Sequence, residues 1–87
     1  MNFIGDIISG EFDQFTDEFI LHQVKQFSTS SILNQDQFNA IYNYLISHKH
    51  ELDGQVLTLN EEMLIRLSQH ETDIFIRDLD KIKGFYH

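Results

Sequence analysis

The sequence predicts an all-α fold, a small antiparallel bundle of about four helices, and three observations lead there. Apolar residues at Phe12, Phe15, Phe19 or Ile20, Val24 and Phe27 keep the three-and-four spacing of an amphipathic helix. Phe38, Ile41, Tyr42 and Leu45 repeat that spacing. Helix punctuation flanks them: Asn34 as a cap, Thr58 followed by Glu61 at the capping-box spacing, and Gly84 after the last apolar position.

Taken in order, Asn2 to Ser9 carries Phe3, Ile4, Ile7 and Ile8, a helical turn or two closed by Ser9–Gly10. Glu11 to about Phe27 then reads as a long amphipathic helix. The hydroxyls of Ser28-Thr29-Ser30-Ser31 compete for backbone hydrogen bonds, so a loop is expected there. Asn34 starts the next helix, which should end near Lys49 to Leu52. Asp53-Gly54 is a turn signal, and a short extended segment at 55–59 follows, read as a linker in preference to a strand. A helix begins within a residue or two of Leu59, capped by Thr58 or Asn60, with Met63, Leu64 and Leu67 facing inward. Ile74, Phe75, Leu79 and Ile82 resume the spacing beyond the polar Gln69 to Thr72, which fits one long helix or two with a kink near His70. The tail Phe85-Tyr86-His87 either packs on the bundle or contacts a partner.

An 87-residue chain without internal repeat or linker is one domain, 1–87, near the lower size at which a core suffices without metals or disulfides. Eight Phe and three Tyr supply that core. No cysteine is present, which excludes disulfides and thiolate metal sites. No apolar run approaches the ~18–20 residues of a membrane span, and Met1 to Gly10 lacks the positive charge of a secretory signal. The expectation is a soluble, cytoplasmic protein.

The net charge of −8, fourteen acids against six Lys and Arg, disfavours direct binding to nucleic acid, whose phosphates require clustered cations. A basic protein partner fits instead. The acids concentrate early: Asp6, Glu11, Asp13, Asp17 and Glu18 precede the first cation, Lys25. On a helix, Asp13 and Asp17 would repel at four-residue spacing. The patch is either a solvated face or a surface offered to a basic partner. Asp36 and Glu61–Glu62 belong to helix first turns, where carboxylates favour the macrodipole.

Catalytic and cofactor chemistry find no constellation. His48-Lys49-His50 sets two imidazoles two apart, and His22, His70 and His87 complete no zinc-ligand motif. There is no nucleophile elbow and no Gly-rich phosphate loop. Arg66 and His70 resemble a ribonuclease Arg…His pair, but their three-residue gap is shorter than the four to six of helical nucleases. No metal, no cofactor and no enzymatic activity are expected.

The run Phe3-Ile4-Gly5-Asp6-Ile7-Ile8-Ser9-Gly10-Glu11-Phe12 into Phe15 to Ile20 resembles the small acidic immunity proteins of the colicin D type, and the likeness continues through Leu33 to Leu45 and Asn60-Glu61-Glu62. That resemblance implies a four-helix bundle whose acidic face plugs the basic RNA-binding site of a toxin nuclease, imitating phosphates. His48-Lys49-His50 departs from the aspartates and aromatics usual there, so no family binding residue is carried over.

Three readings follow. The first is an inhibitor or immunity protein that binds a basic enzyme through Asp6, Glu11, Asp13, Asp17 and Glu18. The second is a phage or mobile-element accessory inhibitor using the same mimicry. The third is a structural homodimer built on an apolar helix face, because the spacing leaves monomer and homodimer both open.

Overall fold

The computed structural model describes residues 1–60 and 63–87 and overturns the helical bundle. Among the described residues, six strands and two helices run in the order β1 (Asn2–Ile4), β2 (Ile8–Asp13), β3 (Glu18–Val24), β4 (Phe27–Leu33), α1 (Gln35–His48), β5 (Gln55–Leu59), β6 (Met63–Leu67) and α2 (Gln69–Lys83). The fold is mixed α/β. Strands β1 to β4 form an antiparallel meander, and β5–β6 form a separate hairpin.

The long helix expected over Glu11 to Phe27 is the β2–β3 hairpin continuing into β4. Its spacing misleads for a geometric reason. A four-residue loop joins Asp13 to Glu18, so Phe12 and Phe19, seven apart, become direct cross-strand partners. Seven residues are also about two helical turns, so a hairpin contact imitates a helical stripe. Gly10 carries the opposite signal: a Cβ there would overlap the Ile20 carbonyl oxygen and come within 2.8 Å of the Phe19 ring. Glycine at that position allows close packing in a strand, not the end of a helix. The helical turns expected over Asn2 to Ser9 are β1, a turn and the start of β2.

Ser28 to Ser31, expected as a loop, lies inside β4, where Ser31 is buried and its hydroxyl meets that of Thr29 at 2.7 Å. The 55–59 segment is a strand rather than a linker. The helix expected from Leu59 is displaced to α2. Thr58 ends up in β5 instead of capping a helix, and Glu61–Glu62 lie outside the described residues. The polar step near His70 is the helix start itself. Ser68 caps it, accepting from the Glu71 amide, while Glu71 accepts from the Ser68 amide at 2.9 Å. That amide, with Lys25 at 2.9 Å, holds the Glu71 carboxyl below its ordinary pKa.

The predicted start of α1 matches the structure: Asn34 and Gln37 form a reciprocal capping box. Gly84 is the C-cap of α2.

Burial alternates along each main strand. Ile8, Gly10 and Phe12, then Phe19 and Leu21, Leu57 and Leu59, Ile65 and Leu67 face the helices, while polar residues together with Ile20, Val56 and Leu64 face away. Helix α1 packs on α2 and β4, and α2 packs on β6, giving a two-layer structure with both helices on one face.

Two long-range ties lock the layers. The fully buried Asp78 carboxylate of α2 accepts from the Asp6, Ile7 and Ile8 amides at 3.1, 2.8 and 3.2 Å, fixing the β1–β2 turn. Tyr86 is buried against Phe12 and Phe38, and its hydroxyl donates to the Leu33 carbonyl at 2.7 Å. The tail is thus part of the core. Burial pushes the Tyr86 phenol up to about 12.

Candidate protein-binding site at the hairpin tip

The β2–β3 loop is built by its own acids. Asp13 Oδ1 accepts from the Phe15 amide at 2.9 Å and more loosely from Thr16 at 3.4 Å, an Asx turn. Asp17 closes the loop in the left-handed region at φ 56°, a conformation aspartate tolerates better than most residues. Its Oδ1 accepts from the His87 amide at 3.1 Å. At the tip stands Phe15, 101% exposed.

Beside the tip, Asp13 and Glu18 are cross-strand partners, and like charges placed opposite each other destabilise a ladder. Glu11 shares their helix-free face of the sheet, where the exposed Glu11 carboxylate lies 3.5 Å from His22 Nε2. Among the described residues no Lys or Arg pairs with Asp13, Asp17 or Glu18. The Glu11 and Asp13 side chains, with Met1, Phe12, Phe15 and Ile20, border a shallow hollow of about 300 Å³. Next to it, Ile20 and the half-exposed Ile32 are cross-strand partners.

The structure therefore gathers four of the five sequence-predicted acids, Glu11, Asp13, Asp17 and Glu18, around one hairpin end. Asp6 does not join them. It sits in the β1–β2 turn at the opposite end of β2, where its amide is held by Asp78. The spacing of Phe15 fits a buried helical stripe, whereas the structure places it outside. The signal available in the sequence is the run Asp13-Gln14-Phe15-Thr16-Asp17, two turn-forming aspartates bracketing a lone aromatic.

The other candidates stay dispersed. His48 pairs with Glu51 just past the end of α1, Arg66 lies on β6 and His70 in the first turn of α2. Among the described residues no group of three or more His, Asp or Glu is placed to hold a metal. No described helix is long and apolar enough to cross a membrane.

No protein-family model, curated protein or solved structure matches this chain.

Proposed function

We propose that this chain is a cytoplasmic inhibitor of a basic, nucleic-acid-acting protein, an immunity protein against a toxin nuclease being the form the acidic composition fits best. The observation that carries the reading is the fully exposed Phe15 in the loop that Asp13, Asp17 and Glu18 flank at the end of the β2–β3 hairpin.

An exposed Phe contributes nothing to the fold, and opposed carboxylates subtract from it. Both become favourable on a cationic surface. Aromatic side chains act as anchors at the centres of interfaces, and carboxylates around one would occupy the positions that phosphates take in a nucleic-acid cleft. Charge complementarity chiefly sets the association rate and the register, while the ring and the Ile20–Ile32 pair would supply the desolvated contact.

The substitutions Asp13→Asn and Asp17→Asn remove charge yet keep the side-chain oxygens that shape the loop. Phe15→Ser removes a ring that touches no core. Tagged wild-type protein should capture from its host lysate, at low salt, a basic nucleic-acid-acting protein that a salt step releases, and should suppress that protein's activity. The Asn double variant should capture it more slowly and the Ser variant should lose it faster. Unchanged capture by the triple variant would remove the hairpin from the site and this reading with it.

A further inference from the structure

Asp53-Gly54, in the turn between α1 and β5, is the one place in the sequence where an Asp or Asn precedes glycine. The order matters chemically. An aspartate carboxyl can be attacked at Cγ by the main-chain nitrogen of the next residue, and glycine has no Cβ to hinder the approach. The carboxyl hydroxyl and the amide proton leave together as water, and the ring closes as a succinimide. Water then opens the ring. Opening at Cγ restores aspartate, whereas opening at the main-chain carbonyl leaves isoaspartate, whose backbone runs through Cβ and is one methylene longer. Water is the only other reactant.

The fold holds the turn in a state that withholds the nucleophile. The Gly54 N–H donates to the Glu51 carbonyl at 3.1 Å, and the Glu51 N–H donates to the His48 carbonyl at 3.1 Å. The His48 ring adds a second tie, pairing with the Glu51 carboxylate while lying against Tyr44 with centroids 4.5 Å apart. An amide bonded to a carbonyl keeps its proton, and attack on Cγ requires losing it. Gly54 is also fixed in place. Its φ is 76°, and a Cβ there would come within 2.1 Å of the Leu67 carbonyl oxygen, so the end of β6 leaves it no room to pivot. Asp53 itself is exposed, with water at hand once the nitrogen is released.

We infer that Asp53 is a site of isoaspartate formation gated by the Glu51–Gly54 hydrogen bond, protected while the turn is closed and converted when it opens. The product does not fit the closed turn. Gln55 follows at once, paired with Leu67 at the start of β5, and its side chain donates to Thr72 Oγ1 at 3.0 Å in the first turn of α2. An extra methylene ahead of it either drives Gly54 into the Leu67 carbonyl or displaces Gln55 from Leu67 and Thr72. Each opening that ends in isoaspartate therefore marks the molecule and weakens the fold. The acidic hairpin takes no part in this, so the two proposals fail separately.

Heavy-oxygen water tests the site on the purified chain, because every ring opening adds one solvent oxygen at residue 53. The peptide carrying Asp53-Gly54 is followed by mass spectrometry after incubation at neutral pH, with and without unfolding urea. Label should accumulate there in urea and at least about tenfold more slowly in the native chain, as a turn protected by its closed state requires. His48→Ala, which removes the tie to Glu51, should speed the native reaction and leave the rate in urea unchanged. Asp53→Glu, whose longer side chain closes a less favourable ring, should remain unlabelled in the same interval. The isoaspartate form, separated by chromatography, should melt below the unmodified chain. Absence of label at residue 53 in urea overturns the site, and equal rates in the native and unfolded chains overturn the gate. An isoaspartate form that melts with the unmodified chain overturns the misfit.

Discussion

Replacing Asp78 with Asn tests whether a single buried carboxylate holds the β1–β2 turn to α2. The substitution keeps the size and shape of the side chain. It exchanges one acceptor oxygen for an NH₂, and both oxygens are in use: Oδ2 serves the Ile7 and Ile8 amides and Oδ1 serves Asp6. In either amide orientation at least one backbone N–H then faces another donor. An unmet donor costs about 1–3 kcal/mol, and a hydrogen bond that loses its charge weakens by about 1 kcal/mol. Against this, the Asp6 and Ile7 amides are only partly buried and can turn to water, and the cost of burying a carboxylate is relieved. The balance is a loss of about 2–3 kcal/mol. For a domain of this size each kcal/mol is worth about 4–8 °C, so Tm should fall by about 10–20 °C in a circular-dichroism melt at neutral pH. Hydrogen exchange at the Ile8 amide should accelerate with it. A Tm within about 4 °C of wild type, with Ile8 protection unchanged, would show that the turn is held by something else.

Two further outcomes follow from the core. Stability should decline as pH rises from about 10 toward about 12, because the fold favours the neutral Tyr86 phenol: its contribution is complete below the ordinary value of 10.0 and is lost as pH climbs through the raised one. Tyr86→Phe should start about 1 kcal/mol lower for want of the bond to Leu33 yet show a flatter alkaline limb in urea titrations; parallel limbs would refute the assignment. Gly10→Ala should cost about 1–3 kcal/mol, because the new methyl meets the Ile20 backbone, which cannot step aside without disturbing the β2–β3 ladder. An unchanged urea midpoint would mean that the hairpin breathes more than its packing suggests.

The sequence shows plainly only those features that local chemistry determines. Asn34 with Gln37 starts α1, Asp53-Gly54 turns into β5, and Gly84 ends α2, each through hydrogen bonds or backbone freedom within a few residues. The strands are hidden because their signal is non-local. Phe12 and Phe19 satisfy a helical period by being partners across a hairpin, and Ser28 to Ser31 look like a loop until β3 provides their hydrogen bonds. Alternation from Ile8 through Gly10 to Phe12 was present, but it competes with a longer-range stripe that a helix fits equally well. The same error splits the acidic patch. On a helix, Asp6 and Phe15 would have other neighbours; on a hairpin, the acids from Glu11 to Glu18 converge, Asp6 is left at the far end and Phe15 is turned outward. Asp78 carried no signal at all, since an aspartate on a helix reads as solvent-facing until the turn that needs it folds alongside.

The burial of Tyr86 also sets an order of assembly. A polypeptide emerges from the ribosome N-terminus first, so the meander of residues 2–33 is available while α2 is still being made. Its inner face then shows Ile8, Phe12, Phe19 and Leu21 to whatever is nearby. The bond that closes over it spans 53 residues, and the one that anchors the β1–β2 turn spans 72. Until Asp78 and Tyr86 arrive, the nascent sheet is a greasy, open-edged intermediate, so chaperone dependence and sensitivity to truncation should concentrate in the interval between finishing β4 and releasing the tail.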